Sequence, residues 1–426
     1  MPSRGYVLYA IALIFLVAVF NVVDRYVISI LAGSIQRDLG LSDTQMGLLL
    51  GPSFSIVHFL AVLPAAWLAD RTARRSVIAA GLFVWSAMTA FGGLAQSFTQ
   101  IFLARMGVGI GEAAGSPPSV GLLTDTAPEA WRARALSVLS MGALVGIAAG
   151  MVAGGFMAER YGWRNALLVL GVLGMGLALL VRLTLREPPR SSADGASPLS
   201  AARHLFAFSS FRWTVIAACI VTVCSSGRSL WEPSFIARAY GYSLAEVGFA
   251  YVMISAIPAI FGAYAGSAIA DRLGRRDPRW LAWSCAIGNG LACPFLIAFL
   301  VWPPEHVISI VGLGIPVGFL FSAVGSFFIG FYSPPTAAIA QGLATPQMRS
   351  LAHGLWTMVA TLVGMGMGPL AVGLVSDGLT GGSEATSLMW GLIAITAIAP
   401  LSAIAYLIAS RSLRDDLRRA AEQAGS

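Results

Sequence analysis

A set of ionisable side chains sits inside apolar stretches of this chain: Asp24, Arg25, His58, Arg105, Glu112, Arg228 and Glu232. A charge in hydrocarbon costs about 2.5–3.5 kcal/mol on insertion scales, so such groups persist where they face one another or a cavity. Arg105 and Glu112 are seven residues apart. On a helix that is about 700°, some 20° short of two turns, with a rise of about 10.5 Å. They share a face, and Glu112 leans back toward Arg105 because helical side chains tilt toward the N-terminus. The gap suits a water or a polar headgroup better than direct contact. Arg228 and Glu232 stand at i and i+4, where a direct pair can form. A buried carboxylate is driven toward its protonated form by desolvation and toward its ionised form by a neighbouring guanidinium. A cavity that opens and closes alters both influences, so a proton can be taken up on one side and released on the other.

Glu112 and Asp24 are therefore the candidate proton carriers, with Arg105 as their modulator. Arg105 and Arg228 are candidates for holding an anionic headgroup, joined by Glu232 and His58. Trp231 and Tyr332, with Phe54 and Phe331, are candidate linings for an apolar tail. Arg25 points about 100° away from Asp24 and has the length to snorkel outward. The competing reading of the whole set is a group of interhelical ion pairs that only orders a bundle.

The elements that position these groups are long apolar helices. The chain has 426 residues, 57% hydrophobic and 11% charged, against roughly 25% charged in a soluble domain. Too few charges remain to solvate a globular surface, so lipid must face most of it. A spanning helix needs about 20 mostly apolar residues. Twelve segments qualify: 7–31, 46–69, 77–95, 100–123, 135–158, 165–185, 212–237, 246–270, 280–301, 311–342, 350–376 and 384–410. The tenth begins in an apolar run too long for one straight span, whose start reads as an extracellular loop. The first is too long for a signal peptide and carries Asp24 and Arg25, so it reads as a span. The fold class is all-α, with twelve transmembrane helices.

Every basic side chain is Arg, 27 in all, and the net charge is +7. With the N-terminus inside, twenty of them fall in inner segments, four in outer loops and three within spans. That is a positive-inside distribution with both termini cytoplasmic. It explains the basic excess without nucleic acid. The longest inner segment, 186–211, contains Glu187-Pro188-Pro189-Arg190-Ser191-Ser192 and reads as a linker. It separates a first six-helix bundle (1–185) from a second (212–410), followed by a cytoplasmic tail (411–426). Internal matches support the division. Ala69-Asp70-Arg71 through Arg74-Arg75 recurs as Ala270-Asp271-Arg272 through Arg275-Arg276, 201 residues later. Ser116-Pro117-Pro118-Ser119 matches Ser333-Pro334-Pro335-Thr336, and Pro128-Glu129 matches Pro346-Gln347. Repeats of this kind place substrate sites at the repeat interface near the midplane. The four Cys lie in apolar runs with no partner spacing, and no metal or cofactor is expected. Gly107-x-Gly109-x-Gly111 lies within an apolar helix with no preceding strand, so it is not a dinucleotide loop. The four His are scattered, which leaves an intramembrane enzyme without a nucleophile–base or metal set.

These residues resemble the major facilitator superfamily. Its signature G-x-L-A-D-R-x-G-R-[RK] is matched by Ala66 to Arg75, with Ala in place of both glycines. The resemblance implies that Asp70, Arg71, Arg74 and Arg75, with Asp271 and Arg272 in the second half, latch the cytoplasmic side. Within that superfamily, Asn21-Val22-Val23-Asp24-Arg25 and Arg105 through Glu112-Ala113 resemble the N-x-x-D-R and R-x-G-x-G-x-G-E-A of the spinster family, lipid transporters with bacterial relatives. Gly142, Gly146, Gly150 and Met151 through Gly155 resemble the antiporter signature with Met in place of its Pro; they also read as a small-residue packing stripe. The resemblance implies a proton-coupled carrier of an amphipathic, lysolipid-like or sphingoid-like substrate, working by alternating access. The alternatives are a facilitator-type exporter of drugs or other amphiphiles, and a non-transporting receptor or channel. The expected partners are protons, the substrate and membrane lipids; the expected state is a monomer in a bacterial inner membrane.

One expectation follows directly from the charge distribution. A Ser192→Cys variant should resist impermeant thiol reagents in intact cells and react once the membrane is opened; labelling from outside would invert the topology.

Overall fold

The computed structural model describes residues 3–187, 198–310, 313–345, 348–379 and 382–425. Helix α1 (Arg4–Leu39) starts at Ser3, whose side chain accepts from the Tyr6 amide, and stops at Gly40 in the left-handed region (φ 63°). Helix α2 (Asp43–Leu50) then starts from a capping box between Ser42 and Gln45. The same device recurs 201 residues later. Helix α9 (Ser209–Tyr240) ends at Gly241 (φ 68°), and α10 (Leu244–Tyr251) starts from a capping box between Ser243 and Glu246. Both glycines sit where an L side chain would be strained. The interval equals that of the Asp70 and Asp271 motifs, so the internal repeat extends to the turn that precedes each.

Proline and glycine break the long helices. After α2 the chain kinks at Gly51 into α3 (Pro52–Arg71). Helices α4 (Arg74–Gly93), α5 (Phe98–Ala113) and α6 (Ser116–Thr126) follow, the last two separated at Ala114-Gly115 ahead of the Pro117-Pro118 pair. Helix α7 (Glu129–Thr184) has 56 residues and breaks at Gly162, whose φ 80° and ψ 157° are not helical. Straight, it would be about 84 Å long against a hydrocarbon core of about 30 Å. Helix α8 (Pro198–Ala207) precedes α9. A π-helix (Val252–Ala256) joins α10 to α11 (Ile257–Gly274).

Next come α12 (Trp280–Val301) and a short antiparallel hairpin of β1 (Val307–Ile310) and β2 (Leu313–Pro316). The run expected as span ten thus begins as a β-hairpin. Then α13 (Val317–Ile329) passes through a 3-10 turn (Gly330–Tyr332) into α14 (Ser333–Gly342). Helices α15 (Arg349–Gly378), α16 (Glu384–Thr396) and α17 (Ala399–Gly425) complete the chain.

Ten helical stretches among the described residues are long and apolar enough to cross a membrane. The expected number was twelve. The difference has two sources: the expected fourth span is divided between α5 and α6, and the expected fifth and sixth run together in α7. Linker positions 188–197, Pro346-Gln347 and the Asp70 side chain, all used above, lie outside the described residues.

The chain forms two compact units, Met1–Ser192 with Ile236–Val252, and Ala193–Phe235 with Met253–Ser426. In the second, Phe211, Cys285, Ile339, Leu343 and Tyr406 centre the apolar core. The Asp416 carboxylate accepts from the Ser210 amide (2.9 Å) and hydroxyl (2.7 Å), tying α17 to the start of α9. In the first, the Gly142, Gly146, Gly150 and Gly154 stripe of α7 lies against α1 at Ala18, Val22, Val23 and Val27. The small-residue reading of that stripe therefore describes a real helix contact, and it fixes the rotation of α1. A Cβ at Gly146 would lie 2.7 Å from Val22 Cβ and 2.8 Å from the Val19 carbonyl oxygen.

Gly146→Leu should thus push α1 away and cost about 1–3 kcal/mol, the usual range for overpacking. A clear fall in melting temperature in detergent is expected. Gly176→Leu, where nothing lies within 4 Å, should leave the melting temperature nearly unchanged.

Candidate functional site

The stripe sets α1 so that Asp24 and Arg25 reach different neighbours. Asp24 is 3% exposed, and its Oδ1 accepts from the Thr89 hydroxyl of α4 at 2.6 Å. Arg25 turns to α5, where its Nε donates to Glu112 Oε2 at 2.7 Å. The Glu112 side chain has no exposed surface, and that of Arg25 is 24% exposed. Sequence reasoning gave Arg25 the reach to snorkel outward and named no partner for it; in the structure it is the ion-pair partner of Glu112. The 100° between adjacent helical residues was read correctly, but the helix on that side was not. The only signal was the need of a buried carboxylate for a cation within one side chain's reach.

Arg105 is 6% exposed and lies within electrostatic reach of both Asp24 and Glu112. Its guanidinium lies 5.5 Å from the centre of the Phe54 ring, and that of Arg25 lies 4.8 Å from the same ring. Both distances are within cation–π range. Phe54 is therefore a shared platform for two cations, while the acids draw them from the other sides. His58 stacks on Phe54 (ring centres 5.1 Å apart) and bonds to the Gly109 backbone. A void of about 10 Å³ bounded by Asp24, Thr89 and Arg105 is the size of a single water. A larger cavity of about 170 Å³ is lined by Val17, Asn21, Trp85, Ser119 and Leu139. Asn21 belongs to both places: it lines this cavity and its side chain reaches Glu112. An apolar pocket with one polar wall, backed by a buried acid, can hold an amphipathic molecule and report its presence to a titratable group.

The second unit has its own charge centre. Arg228 Nη1 pairs with Glu232 Oε2, as their i, i+4 spacing implied. Glu232 Oε1 accepts from Ser255 at 2.5 Å and from Ser322 at 3.0 Å. Ser255 lies in the π-helix, so the irregular turn is where the acid finds its hydroxyl donor. Trp231 is fully buried and its indole NH donates to the Pro369 carbonyl at 2.9 Å. Tyr332 is partly buried, and its carbonyl accepts from Thr336 at 2.6 Å.

The arginines of the latch motif find partners that the sequence reading missed. Arg74 Nη1 donates to Asp125 at 2.5 Å. The Glu187 carboxylate accepts from the Arg74 and Arg75 amides at 2.9 and 3.0 Å, closing the N-terminus of α4, where an anion is favoured. Arg71 lies over the Trp67 ring, while Asp271 and Arg272 are exposed. The reading also counted Arg238 only toward topology. It grips Asp43 with both Nη atoms (2.8 and 3.1 Å) and donates to Gln36 at 2.9 Å; Gln36 in turn donates to Asp43 at 2.7 Å. Beside this clamp the Leu244 and Met151 carbonyls approach Gly155 and Gly248, and the Ala245 amide donates to Glu159. The end of α9 and all of α10 are thereby fastened to α1, α2 and α7. An acid just after a helix start, facing an Arg at the end of another helix, was the available clue.

Comparison with known proteins adds the following. The family model of the Major Facilitator Superfamily matches residues 14–327. A protein of Mycolicibacterium smegmatis named as an MFS-type efflux pump is 32% identical, over 98% of this chain and 95% of its own. Human protein spinster homolog 1 is 25% identical, over 98% of this chain and 83% of its own. The crystal structure of a bacterial homologue of the human lysosomal transporter spinster, inward-facing and unoccupied, superposes with a TM-score of 0.86. It is 27% identical and covers 97% of this chain and 99% of that one.

The pairing of Arg25 with Glu112 has a measurable consequence. Removing one partner of a buried pair costs about 3–5 kcal/mol because the other charge is left uncompensated. Arg25→Ala should lower thermal stability in detergent strongly, and Glu112→Gln added to it should restore part of the loss. Additive losses in the double variant would mean that the two side chains are not energetically coupled.

Proposed function

The chain belongs to the major facilitator superfamily, and on that premise we propose that it is a proton-coupled secondary transporter of an amphipathic, lipid-like substrate. Glu112 and Asp24 carry the proton, and Arg25 and Arg105 compete for the two carboxylates. The observation that carries this reading is the ion pair between Arg25 and the fully buried Glu112, beside the apolar cavity that Asn21 lines. An anionic headgroup arriving there draws the guanidiniums toward itself, and the acid they release takes up a proton. Arg228 and Glu232 offer a second cation and acid, and His58, Trp231 and Tyr332 contribute to the lining. The substrate class, a lysolipid or sphingoid-type molecule, rests on the likeness to spinster proteins. The named function of the M. smegmatis relative favours a second reading, an exporter of drugs or other amphiphiles.

The transport cycle is alternating access between two six-helix halves. In this reading α5 and α6 make one crossing together, and α7 makes two, on either side of Gly162. Twelve crossings then place both termini in the cytoplasm of a bacterial cell, in the inner membrane, and the working unit is a monomer. The Arg238–Asp43–Gln36 clamp closes the outer side, and the Asp70 loop, with its arginines, Asp271 and Arg272, closes the inner one.

Proteoliposomes test the coupling. Glu112→Gln mimics the protonated acid, so it should abolish substrate-induced pH change and proton-driven accumulation while counterflow exchange survives. Arg105→Ala should impair both. Normal pH-driven uptake by Glu112→Gln would remove this residue from the proton path.

A further inference from the structure

We propose that the groove between α4 and the second half of α7 is a binding site for one anionic phospholipid, independent of the transport reading. The two helices are pinched together toward their far ends: a Cβ at Gly171 would lie 2.5 Å from the Ser86 carbonyl oxygen, and one at Gly174 would lie 2.2 Å from the Ser86 hydroxyl. Nearer the start of α4 the buried Ala79 and Ala178 floor the seam between the helices, while the exposed Ala80 and Gly176 add no bulk above it. Gly176 has nothing within 4 Å. The result is an open groove of about 760 Å³ walled by Phe83, Val84 and Leu179. From Ser76 to Val84 it runs about 12 Å along the helix. That is within one leaflet of a hydrocarbon core about 30 Å thick.

One end of this apolar groove is polar. Ser76 and Arg182 line it there, and Arg182 is exposed and enters no ion pair among the described residues. Its neighbours are committed elsewhere: Arg74 to Asp125, Arg75 to the Leu185 carbonyl, and Glu187 to the amides of α4. The depth of that end is marked independently. Tyr9 bonds to Thr184, and Tyr6 accepts from the Arg186 amide while its ring stacks with the Arg186 guanidinium. Tyrosines with polar tips paired in this way belong to the headgroup layer. A guanidinium with no ion-pair partner among the described residues, at headgroup depth above an apolar groove one leaflet long, is complementary to a lipid with a net negative headgroup and an acyl chain. A zwitterionic lipid gains less, because its own cation meets Arg182.

The test uses the full chain in nanodiscs of equal parts palmitoyl-oleoyl phosphatidylglycerol and phosphatidylcholine, with co-released lipid read by native mass spectrometry. The native chain should retain phosphatidylglycerol about fivefold over phosphatidylcholine, as expected for one Arg near the membrane surface. Arg182→Gln should erase the preference and Arg182→Lys should keep it. Gly176→Leu should expel bound lipid of either headgroup by filling the groove. If the native chain shows no preference, if Arg182→Gln keeps it, or if Gly176→Leu retains lipid unchanged, the groove holds annular lipid only and the proposal fails. Should Arg182→Gln fail to fold, the Arg182→Lys and Gly176→Leu arms decide.

Discussion

A bilayer offers no water to a charged side chain, so every guanidinium and carboxylate inside it must be neutralised by the protein itself. The Arg25–Glu112 pair is where the first unit meets that demand across two helices. Much of the first unit can be read as what the pair requires. Phe54 backs it with an aromatic face, which attracts the cations without needing a hydrogen bond. Asp24 and Arg105 form a second acid and base beside it, so neither charge of the first pair is left to one partner alone. The glycines of α7 allow α1 close enough for both contacts. Small residues are how membrane helices approach one another when the hydrophobic effect gives no help.

The same requirement shapes the second unit by different means. There the acid and base lie on one helix, Arg228 and Glu232, and need no neighbour to meet. What they borrow is hydroxyls, Ser255 and Ser322. The π-helix that carries Ser255 widens the backbone at the place where a regular turn would present it differently. Irregular turns of this kind are common where a helix serves more than architecture. The two charge centres therefore differ in how the ion pair is made: one needs α1 and α5 to keep their rotation, while the other lies within a single turn of α9 and takes its hydroxyls from the π-helix and α13.

How much of this was legible follows from the range of each interaction. The Arg228–Glu232 pair could be read because i, i+4 geometry is local. The repeat was readable from matched motifs, and the paired turns at Gly40 and Gly241 extend it. Arg25 with Glu112, Arg74 with Asp125 and Arg238 with Asp43 were not readable, since their members lie 87, 51 and 195 residues apart. Nothing in the spacing names the helix opposite. The glycine stripe was visible as a pattern, but its partner α1 was not. The division of the fourth expected span was foreshadowed by Ser116-Pro117-Pro118, and the break of α7 at Gly162 falls between the stretches read as the fifth and sixth spans.

Helix α1 joins two devices that must stay in phase. Arg25 serves the buried pair and Gln36 serves the Arg238–Asp43 clamp. Eleven residues separate them, which is about 1100°, only some 20° beyond three turns, and about 16.5 Å of rise. Both therefore act from nearly the same side of the helix. A single inserted or deleted residue between them would rotate one device by about 100° relative to the other, and a correct composition could not repair that. Among descendants of this sequence, a substitution between Arg25 and Gln36 leaves the two devices in phase, but a change in length does not. Gains and losses of residues belong before the helix or beyond Gly40, where the chain is already turning.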